Sequence, residues 1–144
     1  MTQDEILAME AGRGIDALIA TRILGLAWWR RGQSGQWIAL CPHDTEIPDY
    51  WIRDVPPIDI GEDDLSEAVP CYSTDIAAAW DVVYKMIAMG HSISIADNDG
   101  RYWGVDFYRM RDEAAFDALS TANALSPELA ICRAALLAVM EAES

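Results

Sequence analysis

Between Ser73 and Gly90 the apolar residues recur with a helical period. Ile76, Ala79, Trp80, Val83 and Ile87 fall at i, i+3, i+4, i+7 and i+11, one stripe of an amphipathic helix, and this pattern predicts that Trp80 lies in the core. Ser73 or Thr74 is expected to cap that helix, because a short hydroxyl side chain accepts from the free N–H groups of the first turn. Asp75 then sits where the helix dipole favours negative charge, and Gly90 is placed to end the helix.

The rest of the chain divides by the same signals. Thr2 with Glu5 has the form of a capping box and opens a short helix to about Glu10. A second helix, from about Ile15 to Leu26, aligns Ile15, Leu18, Ile19, Ile23 and Leu26. Trp28-Trp29-Arg30-Arg31 leads into a Gly32-Gln33-Ser34-Gly35 turn, and Trp37–Leu40 reads as a short strand. From about residue 41 to 70 the pattern is irregular, with Pro48, Pro56 and Pro57 excluding a long helix or central strand; Tyr50–Arg53 reads as a brief edge strand or an extended loop. Ser92–Ala96 and Arg101–Arg109 flank Asp97-Asn98-Asp99-Gly100, a hairpin turn rich in residues that tolerate left-handed backbone. Trp103, Val105 and Phe107 alternate with Tyr102 and Tyr108 on the second strand. On the first, Ser92 and Ser94 oppose Ile93 and Ile95, leaving two readings: small residues beneath a helix, or an open face. Asp112–Leu119 reads as a short helical turn. Ser126-Pro127-Glu128 then caps a closing helix with Leu129, Cys132, Leu136, Val139 and Met140 on one side.

Composition narrows the function classes. The chain has 144 residues, the length of one domain, which buries roughly 68–70% of its unfolded surface. Twenty-four acids against ten bases give a formal charge of −14, which disfavours direct contact with a nucleic-acid backbone and suits solubility, a basic partner or nucleic-acid mimicry. No apolar run reaches the ~20 residues that span a bilayer, and the polar, acidic start does not have the form of a signal peptide. Three cysteines, an odd count, are expected to be reduced thiols in a cytoplasm.

Candidate chemistry is sparse. Cys41, His43, Cys71 and His91 lack the paired spacing of structural zinc, so no metal site is expected. Asp97-Asn98-Asp99-Gly100 starts like a calcium loop, but Arg101 and Tyr108 occupy its fifth and twelfth positions, where oxygen ligands are required. Serine-hydrolase, Walker and dinucleotide motifs are missing, so no catalytic residue and no cofactor is assigned. Two features remain. Asp59, Glu62, Asp63, Asp64 and Glu67 form an acidic ridge suited to a basic protein surface. Arg30 and Arg31, beside Trp28 and Trp29, form a local basic patch suited to a phosphate-bearing small ligand.

Pro70-Cys71-Tyr72-Ser73-Thr74-Asp75-Ile76-Ala77-Ala78-Ala79-Trp80-Asp81-Val82-Val83 and the ten residues Ala130–Val139 resemble the phage ABA sandwich domain family. Ile6–Arg13, leading into Asp16–Ala20, extends the likeness, which covers about half the chain and leaves out residues 38–68 and 112–126. The resemblance implies a phage or prophage origin and helices on both faces of the sheet, and it brings no catalytic residues. Without it, a two-layer α+β arrangement stays open.

The expected fold is therefore a single α/β domain over residues 1–144, with a small antiparallel sheet of three or four strands in an α/β/α sandwich. The expected function is that of a non-enzymatic phage accessory protein in the host cytoplasm. It would act by binding, as an acidic inhibitor of a basic host protein such as a defence factor. The alternative is a protein that sequesters a nucleotide-like ligand near Arg30 and Arg31; a small hydrolase ranks third.

Overall fold

A computed structural model describes residues 2–31, 38–42, 51–53, 69–112 and 115–143. Helix α1 (Gln3–Ala8) begins with the expected capping box: the Thr2 hydroxyl accepts from the Glu5 N–H, and the Glu5 carboxylate accepts from the Thr2 N–H. Helix α2 (Arg13–Leu18) runs into a wide π-type turn over Ile19–Ile23, closed by a Leu24 N–H donating to the Ile19 carbonyl at 3.1 Å. The chain then enters strand β1 (Leu26–Arg31), so the second helix ends earlier than its apolar pattern predicts. β1 is the centre of an antiparallel sheet with β2 (Ile38–Pro42) on one side and β3 (Trp51–Arg53) on the other, in the order β2-β1-β3. Of the expected short strands at 37–40 and 50–53, the described residues 38–40 and 51–53 are strand, each on one side of β1. Trp28 and Trp29 lie within the central strand.

The second sheet forms the platform of the core. Helix α3 (Ile76–Ala88) leads through Gly90, whose φ of +95° lets the chain reverse, into strand β4 (Ser92–Asn98). A tight turn returns the chain as β5 (Tyr102–Asp112); Asp99 and Gly100 take positive φ there, and Asp97 Oδ1 accepts from the Gly100 N–H at 2.9 Å. The turn is shifted from the predicted Asp97–Gly100: Asp97 and Asn98 end β4, and Asp99-Gly100-Arg101 link it to β5, with the Arg101 N–H donating to the Asn98 carbonyl at 3.0 Å. The next segment departs from expectation. Residues 115–124 are not a helical turn but a strand, β6 (Ala115–Ala124), paired antiparallel to β5 to give the order β4-β5-β6. The long strand β5 presents a free row of backbone groups, and satisfying them outweighs the helix propensity of an alanine-rich run too short to hold a helix by itself. The closing helix α4 (Pro127–Glu143) starts as predicted, with Ser126 Oγ accepting from the Leu129 N–H at 3.3 Å.

Register puts Ile93, Val105, Phe107, Ser120 and Ala122 on one face of the β4-β5-β6 sheet. Val105, Phe107, Ser120, Ala122 and Ala124 are buried there, with Ile93, Ile95 and Trp103 half-buried beside them. Helix α4 covers β5 and β6, while α3 packs against α4, the π turn and β4. α4 also touches α1 and α2; Ala130, Ile131, Cys132, Ala134, Ala135, Leu136, Leu137 and Ala138 are all buried, so it is enclosed on most of its circumference. The opposite sheet face carries exposed Ser94, Ala96, Tyr102, Thr121 and Asn123, with Thr121 Oγ1 donating to Asp106 Oδ1 at 2.6 Å. Ser94 is exposed and Ser92 half-buried, so among the described residues the open face is the reading that Ser94 fits. The small antiparallel sheet with helices packed on it is the expected α/β fold. The helices described here share one face, and a helix on the other is not among the described residues.

The face of α3 that enters the core differs from the predicted one. Ala79, Val82, Val83 and Met86 are buried, whereas Ile76, Trp80, Tyr84 and Ile87 are exposed, Trp80 by 41%. Trp80 is therefore not a core residue. The cap shifts as well: Asp75, rather than Ser73 or Thr74, accepts from the Ala77 N–H, because Ser73 is drawn into the interior.

Candidate functional site

The residues of the resemblance meet in the interior. Asp16 and Ser73, each 1% exposed, bind one another: the Ser73 N–H donates to Asp16 Oδ1 at 2.8 Å. Ser73 Oγ accepts from the Gly12 N–H at 2.9 Å. Arg133 on α4 ties the N-terminal segment to the sheet. Its Nε and Nη2 donate to the Met9 carbonyl at 2.9 and 2.6 Å, and its Nη1 donates to the Asn123 carbonyl at 2.9 Å. Ser120 Oγ donates to the Ala134 carbonyl at 2.7 Å, pinning β6 to the same helix. These polar groups hold elements far apart in sequence, and none is aligned as a nucleophile with its base. They leave no periodicity in the sequence, because their bonds span from 10 to 124 residues rather than a single turn.

Two further ionisable groups share this interior. Burial pushes the Cys132 thiol well above its ordinary value, so it behaves as a small hydrophobe on α4. Burial, reinforced by Asp81, Asp16 and Cys132, raises the Tyr72 phenol from 10 to about 12. The neutral phenol is the form the fold favours. Its contribution is complete below pH ~10 and is lost as the pH rises through about 12. An alkaline ultraviolet titration is expected to show a tyrosine step near pH 12 that coincides with unfolding. Tyr72→Phe should remove that step; its persistence in the variant would contradict the burial of Tyr72.

The imagined zinc ligands are dispersed in role. His91 is buried against Phe107, ring centroids 6.4 Å apart, and Nδ1 donates to the Met86 carbonyl at 3.2 Å while Nε2 has no hydrogen-bond partner among the described residues. Cys71 is exposed, Cys41 lies in β2, and His43 is outside the described residues. Among the described residues, no group of three His, Cys, Asp or Glu could hold a metal ion. Asp59, Glu62, Asp63, Asp64 and Glu67 lie outside the described residues. Arg30 and Arg31 end β1, Arg30 opposite Ile38 and Ile52, and Arg31 opposite Trp51.

The surface that sequence reasoning missed is the outer stripe of α3. Ile76, Trp80, Tyr84 and Ile87 are 41–65% exposed, and the Trp80 and Tyr84 rings lie 6.1 Å apart at 37°. Four large apolar side chains thus lie exposed on one helix face, beside the strand at the sheet edge. A signal existed in the sequence: Ile76, Trp80 and Tyr84 repeat at i, i+4 and i+8 beside a second, equally apolar stripe. No helix among the described residues is long and apolar enough to cross a membrane.

Neither the curated proteins nor the solved structures give a match to this chain. A family model does, over residues 17–136, which take in Ser73 but not its partners Gly12 and Asp16, together with the α3 stripe, the hairpin and most of α4. By that match the chain belongs to the phage ABA sandwich domain family.

Proposed function

We propose that this protein is a phage-encoded accessory protein that works in the host cytoplasm by binding a basic protein partner, as an inhibitor of a host factor such as a defence component. The supporting observation is where the charge lies. Residues 44–67 hold nine acids against one base, a net −8 of the chain's −14. Charge meant only to keep a protein dispersed has no reason to gather in one segment, whereas a concentrated acidic stretch steers and orients a cationic partner.

A tagged chain exposed to host lysate over a salt series tests this. A basic protein should be recovered at low salt and lost at high salt, since exposed charges are screened within ~8–10 Å at 0.1–0.15 M. Replacing Asp59, Glu62, Asp63, Asp64 and Glu67 by Asn or Gln should abolish recovery while moving stability by only about 0.5 kcal/mol. Equal recovery by that variant would refute the reading. The nucleotide-sequestering alternative rests on Arg30 and Arg31; calorimetry against a nucleotide panel, with heat lost on replacing both arginines, would favour it instead. A small hydrolase remains third, with no arrangement among the described residues to support it.

A further inference from the structure

We infer that the edge of strand β4, together with the outer stripe of α3, is the site at which a second copy of this chain docks. The two copies would join their sheets into one six-stranded antiparallel sheet. β4 is an edge strand: β5 is its hydrogen-bonded neighbour, and no other described strand pairs with it. Edge strands are ordinarily protected by lysine, proline, bulges or inward charges. Ser92-Ile93-Ser94-Ile95-Ala96 has none of these; the charge of β4, Asp97, sits at its turn end and is taken up by the Gly100 N–H, and the pairing of β4 with β5 is regular from end to end. β6, at the opposite edge, is paired through two register shifts.

The sequence of β4 selects the occupant. Ser92–Ala96 is nearly palindromic about Ser94. Antiparallel pairing on a two-fold axis at Ser94 places Ile93 opposite Ile95 of the other copy, Ser94 opposite Ser94, and Ser92 opposite Ala96. Isoleucine then meets isoleucine on the helix-covered face, where Ile93 and Ile95 are half-buried, and small residues meet on the open face. A two-fold interface needs this self-complementarity.

The helix layer supplies the remaining contact. α4 covers β5 and β6, and α3 lies beside it with β4, so α3 is the helix nearest the free edge. Strands pair at ~4.8 Å and helices pack at ~8–10 Å, so joining two β4 strands brings the two α3 helices alongside each other over the continuous sheet. A stable interface buries about 800 Å² per partner, more than a five-residue strand pair provides. Trp80 and Tyr84, 41% and 65% exposed, add roughly 200 Å² per copy at ~150–250 Å² per aromatic side chain, before Ile76 and Ile87 are counted.

This inference is independent of the basic-partner reading, and salt separates the two. Copies carrying −14 each repel, so screening strengthens their association, whereas it weakens capture of a cationic partner. Sedimentation equilibrium of the full chain, from about 0.1 to 1 M salt, should show a monomer–dimer equilibrium that shifts toward dimer as the Debye length falls from ~10 to ~3 Å. Ser94→Lys and, separately, Tyr84→Glu alter exposed side chains, so their far-UV spectra should match the parent. Each should raise the dimer dissociation constant at least about tenfold, ~1.4 kcal/mol. Amide exchange in Ser92–Ala96 should slow with rising protein concentration in the parent and not in the variants. A parent that stays monomeric at millimolar concentration in both salts overturns the inference. So does a dimer unaffected by both substitutions, or a monomer whose capture of a cationic protein is lost in Tyr84→Glu, which would give the surface to that partner.

Discussion

Phe107→Ala is expected to lower stability by about 3–5 kcal/mol, the range for truncating a fully buried aromatic side chain. Phe107 is 0% exposed, at the centre of the β4-β5-β6 sheet, between Ile93 and Ser120 in register and edge-on to His91. Its ring is enclosed by sheet neighbours and the helices above, which cannot collapse into the space it leaves, so the cavity term adds to the lost transfer energy. Trp80→Ala, larger in chemical terms, should cost only about 1 kcal/mol, because Trp80 is 41% exposed. Both belong in one series of chemical denaturations at low protein concentration, where self-association does not add to apparent stability. The reverse order, with Trp80 the costlier loss, would show that α3 is rotated about its axis relative to this structure.

Asp16→Ala should cost about 2–3 kcal/mol, although it removes no hydrophobic surface. The Asp16 carboxylate accepts from the Ser73 N–H inside the protein, and its loss leaves that buried donor unpaired. Ser73 in turn holds the Gly12 N–H, so the defect spreads to the junction of α1 and α2. Asp16→Asn keeps an oxygen facing Ser73 and should recover most of the loss. If Asp16→Ala were as stable as the parent by thermal and chemical unfolding, Ser73 would not be anchored as described, and the cap of α3 would be free to move from Asp75 to Ser73.

Part of this molecule was legible in its sequence because the responsible interactions are local. The Thr2–Glu5 capping box, the Ser126-Pro127-Glu128 start of α4 and the β4–β5 turn each close within about four residues, so short-range stereochemistry is enough to place them. The alternation of Trp103, Val105 and Phe107 against Tyr102 and Tyr108 was readable for the same reason. The α3 stripe was not. With Ile76, Ala79, Trp80, Val82, Val83, Tyr84, Met86 and Ile87 all apolar, the helix has two adjacent apolar faces, and periodicity alone cannot rank them.

That choice belonged to the tertiary structure. The smaller face, Ala79, Val82, Val83 and Met86, packs inward because α3 must fit closely against α4, the π turn and β4, where Trp80 and Tyr84 have no room. Residues 115–124 became a strand because β5 is long enough to need a partner along its second edge, and a distant hydrogen-bond donor row overrides a short local propensity. Ser73 left the cap position because Asp16 and Gly12 offered it buried partners. The sequence by itself determined where helices and turns begin, since those energies are spent within a few residues of the chain. Which faces are buried, which edge stays open and which polar groups meet were decided only when elements tens of residues apart competed for the same space.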